Sequence, residues 1–300
     1  MRRLSVAVLA LVLASGVLAS GVLASGPAVA DALSDAVSRG TIRLGVRADA
    51  PPFSAARPDG SFAGYQVDIC EAVVAEIARA SGRALSAEFV VVDAGNRFRM
   101  LADRAVDLLC EPTTVTLDRR GLVDFSIPTF VTGAGLMARL APGPVAVPPL
   151  GGGGVGVPEN PPRRLGVLAG TTTEAMVKTM VAAGALSAQV IDVATHGDGI
   201  AALSAGLLDG YAADLEILID LRGRTTTPDQ FVIADRLLSL ETYALAMGRG
   251  ETALRLAADR AIARLYREGD IVAIAQRHFP GRSPGDAFTA MVILNALPDR

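Results

Sequence analysis

The chain has 300 residues, of which 51% are hydrophobic and 20% are charged. This composition supports one large or two medium-sized folded domains and excludes a disordered chain. The formal net charge is −3 and neither sign of charge forms a long run, so the sequence lacks the basic footprint that nucleic-acid binding requires.

The first thirty residues are typical of a secretory signal peptide. Arg2 and Arg3 form a positive start, an apolar stretch follows over residues 4–23, and Ala28-Val29-Ala30 fits the small-residue cleavage pattern. We therefore expect residues 1–30 to be removed and the mature protein to be exported. The alternative is an uncleaved anchor, because the apolar stretch is long enough to resemble a membrane span.

After the leader, short β-type runs alternate with helical runs, which is typical of an α/β protein with largely parallel sheets. In the first half of the chain, apolar residues at helical spacing predict helices, and β-type runs predict strands. The predicted elements are a strand at 41–46, a loop at 51–53, a helix at 65–80, a strand at 88–92, a short helix at 97–104 and a strand at 106–110.

A proline- and glycine-rich segment, residues 141–162, interrupts the alternation and is predicted to be a mobile excursion. A strand is predicted beyond it at 164–168, and Thr171 with Glu174 forms a capping-box pattern that opens the next helix. The remaining predicted elements are a helix at about 199–205, a strand at 209–213, an extended part at 231–245 and a helical part at 251–278.

The two cysteines, Cys70 and Cys110, both lie in the exported part of the chain. An oxidising compartment permits a disulfide between them, but spacing alone leaves two buried free thiols as the alternative. The pair lacks metal-site spacing, and only His196 and His278 could supplement it, so no metal site is predicted.

The common catalytic signatures are missing from the sequence, which favours a binding protein over an enzyme. Thr113 and Thr114 lie just beyond the end of the strand predicted at 106–110, and Arg119 follows five residues on, so hydroxyls and a guanidinium could hold a carboxylate there. A surface arginine that caps its own turn is the alternative. Asp214 ends another strand, where it could pair with an ammonium group or with a neighbouring arginine.

Several stretches taken in order resemble the polar-amino-acid class of bacterial extracellular solute-binding proteins. The resemblance covers about residues 41–280, and the combination is specific although each motif alone is weak. The motifs are Ile42-Arg43-Leu44-Gly45-Val46-Arg47 with Pro52-Phe53-Ser54, Gly64-Tyr65-Gln66-Val67-Asp68, Asn96-Arg97, Asp107 to Thr114, Asp118-Arg119-Arg120, Val123-Asp124-Phe125-Ser126, Ala169 to Glu174, His196-Gly197-Asp198 and Tyr211 to Asp214.

The resemblance implies a two-lobed periplasmic-binding-protein fold, type II-like, with two chain crossings at a hinge. Lobe 1 is expected over residues 31–130 plus 243–300 and lobe 2 over 134–239, with the hinge at about 129–133 and 240–242. It also implies a monomer in the periplasm that needs no cofactor, binds a free amino acid and delivers it to the permease subunits of an ABC transporter.

The resemblance also assigns roles to individual residues. Arg119 is expected to grip the ligand α-carboxylate, helped by Thr114 and by backbone N–H groups at Thr171 and Thr172. Asp214 is expected to take the α-ammonium group. The aromatic ring of Phe53 is expected to cover the ligand.

Three residues favour an acidic ligand, because Arg47, Arg97 and His196 resemble the glutamate/aspartate-binding branch and are donors for a second carboxylate. Each could instead be a solvated arginine or a structural histidine. Glu111-Pro112 departs from the usual Gly-Ser, and Ala94 replaces a serine. If Glu111 points inward, it either repels an acidic ligand or pairs with an arginine, so a neutral or other polar amino acid is the alternative.

Two other classes compete with a transport protein. An enzyme on the same scaffold, resembling the periplasmic cyclohexadienyl dehydratases, would need a general acid, for which Glu174 or Glu111 is the candidate. The sensory domain of a receptor would need a further transmembrane or signalling segment, and none is expected after Gly250.

Overall fold

The computed structural model describes residues 31–140, 163–281 and 285–299. The predicted signal peptide and the proline- and glycine-rich segment at 141–162 lie outside the described residues. Within these ranges, no helix has the length and apolar character needed to cross a membrane.

Strands and helices alternate along the described chain, as the sequence pattern predicts. The strands are β1 (Thr41–Val46), β2 (Asp49–Ala50), β3 (Ser54–Ala56), β4 (Phe62–Ala63), β5 (Ser86–Val91), β6 (Leu108–Leu109), β7 (Val123–Phe125), β8 (Phe130–Thr132), β9 (Ala134–Arg139), β10 (Arg164–Leu168), β11 (Gln189–Val193), β12 (Gly210–Asp214), β13 (Phe231–Ile233), β14 (Glu241–Tyr243) and β15 (Ala246–Gly248). The helices are α1 (Ala32–Arg39), α2 (Tyr65–Ser81), α3 (Arg97–Ala102), α4 (Leu117–Arg120), α5 (Thr172–Ala182), α6 (His196–Ser204), α7 (Leu215–Arg224), α8 (Thr252–Glu268), α9 (Asp270–His278) and α10 (Asp286–Asn295), with a short 3-10 turn at Pro228–Gln230.

Two five-stranded sheets define the architecture. The first has the order β5-β1-β6-β15-β7, in which β1 runs parallel to β5 and β6 while β15 runs antiparallel to β6 and β7. The second has the order β11-β10-β12-β9-β13, with β10 parallel to β11 and β12 and β9 antiparallel to its neighbours. We call the parts of the chain that carry these sheets lobe 1 and lobe 2.

The two lobes are joined by a pair of antiparallel strands. β8 pairs with β14, so that Val131 lies opposite Thr242. The chain leaves lobe 1 through β8 and returns to it through β14 to add β15 to the first sheet. The predicted two-lobed α/β fold with two chain crossings is therefore confirmed.

Local sequence signals explain where the predicted elements needed correction. The helical part predicted at 251–278 is two helices, because Gly269 adopts a left-handed conformation with φ of 81°. The helix predicted at about 199–205 begins earlier, because Thr195 and Asp198 form a capping box at its start. The strand predicted at 106–110 pairs only at β6.

The core of lobe 1 contains a cluster of aromatic rings beneath the hinge. Phe53, Tyr65, Phe130, Tyr243 and Phe279 pack with centroid separations of 5.0 to 6.3 Å. Because Phe130 belongs to β8 and Tyr243 to β14, both hinge strands are anchored in this packing.

A disulfide joins Cys70 on α2 to Cys110 just after β6, and both residues are fully buried. It connects the helix to the sheet across 40 residues of sequence. A crosslink over a loop of this length lowers the entropy of the unfolded chain and stabilises the fold by about 4 kcal/mol in the loop-entropy model.

Reduction of this bond is expected to lower the free energy of unfolding by about 3 to 4 kcal/mol. Urea denaturation of the protein with and without reductant measures the loss. Reduction keeps both sulfur atoms in place, so the loss contains no contribution from a cavity. A Cys70→Ala, Cys110→Ala double variant should lose at least as much. An unchanged midpoint after reduction, with two free thiols detected in the untreated protein, would show that the cysteines are separate buried thiols.

Candidate functional site

A narrow cavity lies between the two lobes, and its empty space amounts to about 390 Å³ only when the part open to solvent is counted. Eight of the ten predicted ligand-binding residues line it, and they come from both lobes. The lining residues are Arg47, Arg97, Pro112, Thr114, Arg119, Leu168, Thr171, Thr172, Thr173, His196, Ala212, Ala213, Asp214 and Ile217.

The topology explains why these side chains meet. Arg47 follows β1, Thr114 lies beyond β6, Thr171 and Thr172 follow β10, and Asp214 ends β12. The carboxyl ends of parallel strands share one edge of a sheet, and open α/β folds bind ligands at that edge. The two lobes present these edges to the same cavity.

Arg119 supplies a positive charge to this cavity from the short helix α4. Its Nη1 donates to the carbonyl of Thr114 at 2.9 Å, and its guanidinium lies 5.4 Å from the ring centre of Phe98. It makes no ion pair within the described part of the chain. Burial, with the nearby Arg97, lowers the pKa of Arg119 to about 10, so the group is still charged at neutral pH.

Asp214 supplies the opposite charge from lobe 2. Its Oδ2 accepts a hydrogen bond from the hydroxyl of Tyr243, whereas its buried Oδ1 has no partner among the described residues. Burial, reinforced by the negative charge of Glu241, raises the pKa of Asp214 to about 7. A carboxylate with one unsatisfied oxygen at this position is suited to a cationic hydrogen-bond donor.

The start of α5 faces the cavity through Thr171 and Thr172. The Thr171 hydroxyl caps the helix by accepting from the Glu174 backbone N–H at 3.1 Å and donates to the Leu168 carbonyl at 2.7 Å. The capping box is only half formed, since Glu174 accepts from the Gly170 N–H at 2.6 Å instead of the Thr171 N–H. The first-turn N–H groups of α5 remain a positive end for an anionic group.

Arg47 and His196 line the cavity and are linked to each other through Asp49. Arg47 donates through Nε and Nη2 to Asp49 Oδ1 at 2.9 and 2.7 Å, and Asp49 Oδ2 accepts from the His196 backbone N–H at 3.3 Å. His196 Nδ1 lies 2.8 Å from the Tyr211 hydroxyl. Burial and the charge of Arg47 lower the pKa of His196 to about 3, so the ring is neutral at physiological pH.

Gly199 makes room for this arrangement. A Cβ at Gly199 would lie 2.3 Å from a ring carbon of Tyr211, so only glycine permits the tyrosine to pack against α6. Gly199, the residue after the His196-Gly197-Asp198 motif, therefore positions the hydrogen-bond partner of the histidine.

Glu111 pairs with Arg97 and does not line the cavity. Arg97 Nε lies 3.4 Å from Glu111 Oε1, and both side chains are almost completely buried. Thr113 donates its hydroxyl to the same Glu111 oxygen. Thr113 therefore does not line the cavity. Of the alternatives that the sequence left open for Glu111, the structure shows the pairing with an arginine, and it corrects the placement of Thr113.

Phe53 is also placed differently from the prediction. It is fully buried in the aromatic cluster and is absent from the cavity wall. The edge-to-face packing against Tyr243 and Phe130, with centroids 5.1 and 5.0 Å away, holds it beneath the hinge strands. The ring supports the site from below and does not cover it.

Glu241 is a site residue that the sequence did not reveal. It lies on the hinge strand β14, and its Oε2 accepts from the hydroxyls of Thr114 at 2.6 Å and Thr172 at 3.1 Å. Ser239 donates to its other oxygen at 2.7 Å. A glutamate within an extended run carries no motif that would mark it, and only the meeting of the two lobes brings the threonines to it.

Two lobes joined by two hinge strands, with a polar cavity between them that is lined from both sides, define a two-lobed ligand-binding protein. Residues 42–281 match the family model of bacterial extracellular solute-binding proteins, family 3, and the chain belongs to this family.

The relatives with similar sequences are amino-acid-binding proteins. The L-glutamate/L-aspartate-binding protein of Pseudomonas aeruginosa is 26% identical over 262 residues, covering 84% of this chain and 82% of that protein. The general L-amino acid-binding periplasmic protein AapJ of Rhizobium johnstonii is 28% identical over 250 residues, covering 83% of this chain and 67% of that protein.

Among solved structures, the fold is similar to the ancestral amino acid-binding protein AncCDT-1, a precursor of cyclohexadienyl dehydratase. The TM-score is 0.69 at 20% identity, and the match covers 83% of this chain and all of that one. At this identity the likeness concerns the fold alone. Neither acid considered for a dehydratase, Glu174 or Glu111, lines the cavity of this chain.

Proposed function

We propose that the protein binds a free amino acid between its lobes in the periplasm and delivers it to an ABC importer. The observation that carries this proposal is the pairing of opposite unmet charges in one cavity. Arg119 on lobe 1 has no ion pair, and Asp214 on lobe 2 has a buried oxygen without a partner in the described chain. A zwitterion satisfies both, with its carboxylate on Arg119 and its ammonium group on Asp214.

The same arrangement supports closure of the lobes around the ligand. Arg119 and Thr114 belong to lobe 1, whereas Thr172 and Asp214 belong to lobe 2. A ligand that contacts both sets stabilises the closed arrangement, because only that arrangement makes all the contacts. We place the hinge at 129–133 and 240–242, between lobe 1 (31–130 plus 243–300) and lobe 2 (134–239), and expect the permease to recognise the closed form.

We propose further that the ligand is glutamate- or aspartate-like. Arg47, Arg97 and His196 line the same cavity and are donors for a side-chain carboxylate. Glu111 does not stand in the way, because it is turned toward Arg97 outside the cavity wall. Relatives named for glutamate and aspartate support this choice.

One observation favours a neutral polar amino acid as the second candidate. Arg47 is already paired with Asp49, and Arg97 lies beside Glu111, so much of the positive charge around the side-chain end is balanced within the protein. An uncharged amide could accept hydrogen bonds from the same guanidinium groups.

A thermal-shift screen of the mature protein against the standard amino acids separates the two candidates. We expect glutamate and aspartate to raise the melting temperature more than glutamine and asparagine do.

In Arg47→Ala the ratio of the Kd for glutamine to the Kd for glutamate should fall by roughly tenfold, because a charge-assisted contact to the ligand side chain is lost. Stabilisation by glutamine alone would support the neutral candidate, and stabilisation by lysine or arginine without glutamate would exclude an acidic ligand.

A further inference from the structure

Two threonines that line the cavity, Thr114 and Thr172, donate their hydroxyls to a protein carboxylate, that of Glu241. Glu241 Oε2 lies 2.6 Å from Thr114 Oγ1 and 3.1 Å from Thr172 Oγ1, and the two hydroxyl oxygens are 3.3 Å apart. Both threonines line the cavity, Thr114 from lobe 1 and Thr172 from lobe 2. The glutamate therefore connects the lobes through the groups that could also reach a ligand.

The number of hydrogens limits what these hydroxyls can do. Each threonine hydroxyl has one hydrogen to donate. A carboxylate is an acceptor only, so the contacts with Glu241 consume the donor of Thr114 and the donor of Thr172. A ligand carboxylate at this place can accept from them only after Glu241 releases them.

The position of Glu241 in the fold couples this exchange to the hinge. The residue is the first of β14, opposite Thr132 of β8. Its Oε1 accepts from Ser239 at 2.7 Å, and the same Ser239 oxygen accepts from the Ala134 N–H, at 3.0 Å, where β9 of lobe 2 begins. The carboxylate is thus bonded to both lobes and to the connection between them.

We infer that Glu241 is an internal competitor of the ligand carboxylate and that it sets the affinity of the site. The inference rests on the proposed function, in which Arg119, Thr114 and Thr172 receive the ligand α-carboxylate. When the ligand binds, the hydrogen bonds from Thr114 and Thr172 to Glu241 are broken and replaced by hydrogen bonds to the ligand. The free energy of breaking them offsets part of the binding free energy and weakens the measured affinity. Without an amino acid, the same contacts hold the lobes together.

The test compares Glu241→Ala and Glu241→Gln with the wild type. Titration calorimetry with L-glutamate should give a Kd roughly tenfold lower for Glu241→Ala, since two charge-assisted hydrogen bonds no longer have to be broken. Glu241→Gln should give a clearly smaller gain, because its amide oxygen still accepts from both threonines. In a Thr172→Val background, the gain from Glu241→Ala should shrink, because one of the contested donors is gone.

A second readout needs no ligand. Small-angle scattering of the protein freed of amino acids should give a larger radius of gyration for Glu241→Ala than for the wild type. An unchanged radius would overturn the link between the lobes even if no amino acid binds, which separates this inference from the proposed function. Weaker binding in Glu241→Ala would show that Glu241 contacts the ligand and would overturn the competition. Equal gains in affinity in the alanine and glutamine variants would show that Glu241 acts through its negative charge and not through the threonine hydroxyls.

Discussion

Arg119→Met should abolish amino-acid binding, with a loss of affinity of at least about 100-fold, while the protein stays folded. Truncating one partner of a buried, hydrogen-bonded charge pair costs about 2 to 5 kcal/mol. The fold should not suffer, because Arg119 has no ion pair within the described chain and its pKa is lowered by burial. A charge taken out of water without a partner costs free energy, so its removal should leave the stability unchanged or higher.

Titration calorimetry and urea denaturation of the same samples measure the two effects. Arg120→Met is the matched control, since Arg120 is the next residue of α4, is exposed and lies 5.8 Å from the ring centre of Phe125. It should bind as the wild type does. Binding retained within threefold in Arg119→Met would show that the α-carboxylate is held elsewhere.

The affinity for the amino acid should fall by about tenfold for each pH unit below pH 7. An ammonium group needs the ionised form of Asp214, and the pKa of this carboxyl is about 7 because it is buried and close to Glu241. Below that pH a ligand must first displace a proton. His196 does not titrate in this range, since its pKa is lowered to about 3, and a ligand side-chain carboxyl with an ordinary pKa of about 4.3 stays mostly ionised down to pH 5.

Calorimetry at pH 8, 7, 6 and 5 in buffers of different ionisation enthalpy measures both the affinity and the proton release. Asp214→Asn should bind weakly and without this pH dependence, which separates Asp214 from its neighbours Glu241, Glu216 and Arg119. An unchanged slope in Asp214→Asn would assign the titration to another group.

The same carboxyl should affect the stability of the protein without ligand. Its folded pKa lies above its ordinary value of 3.8, so the folded state binds the proton more tightly than the unfolded chain does. Stability from this group is therefore present below pH 4 and declines as the pH rises to about 7. Asp214→Asn should accordingly melt at a higher temperature than the wild type at pH 8 and should lose that advantage at pH 4.

The sequence predicts the fold and the ends of the strands well, for a local reason. β1 and β10 occupy the predicted residues, and the polar residues that follow them reach the cavity, because strand ends and helix starts are set by short-range signals. Arg119 and Asp214 are two of these polar residues, which is why the sequence could identify them.

What the sequence missed depends on contacts between distant parts of the chain. Phe53 lies in a loop near the site, but four other aromatic rings draw it into the core. Thr113 and Thr114 are neighbours, yet Glu111 takes one hydroxyl and Glu241 the other. Such choices are made by tertiary packing and hydrogen bonding, which no local pattern records.

The central claim is that one cavity holds an α-carboxylate and an α-ammonium group at once. Its most direct measurement is a calorimetric comparison of L-glutamate with glutarate, which lacks the ammonium group, and with γ-aminobutyrate, which lacks the α-carboxylate. We predict one bound L-glutamate per protein and a loss of at least about 100-fold for each analogue. Glutarate binding as tightly as L-glutamate would contradict the role of Asp214, and equal binding of γ-aminobutyrate would contradict that of Arg119.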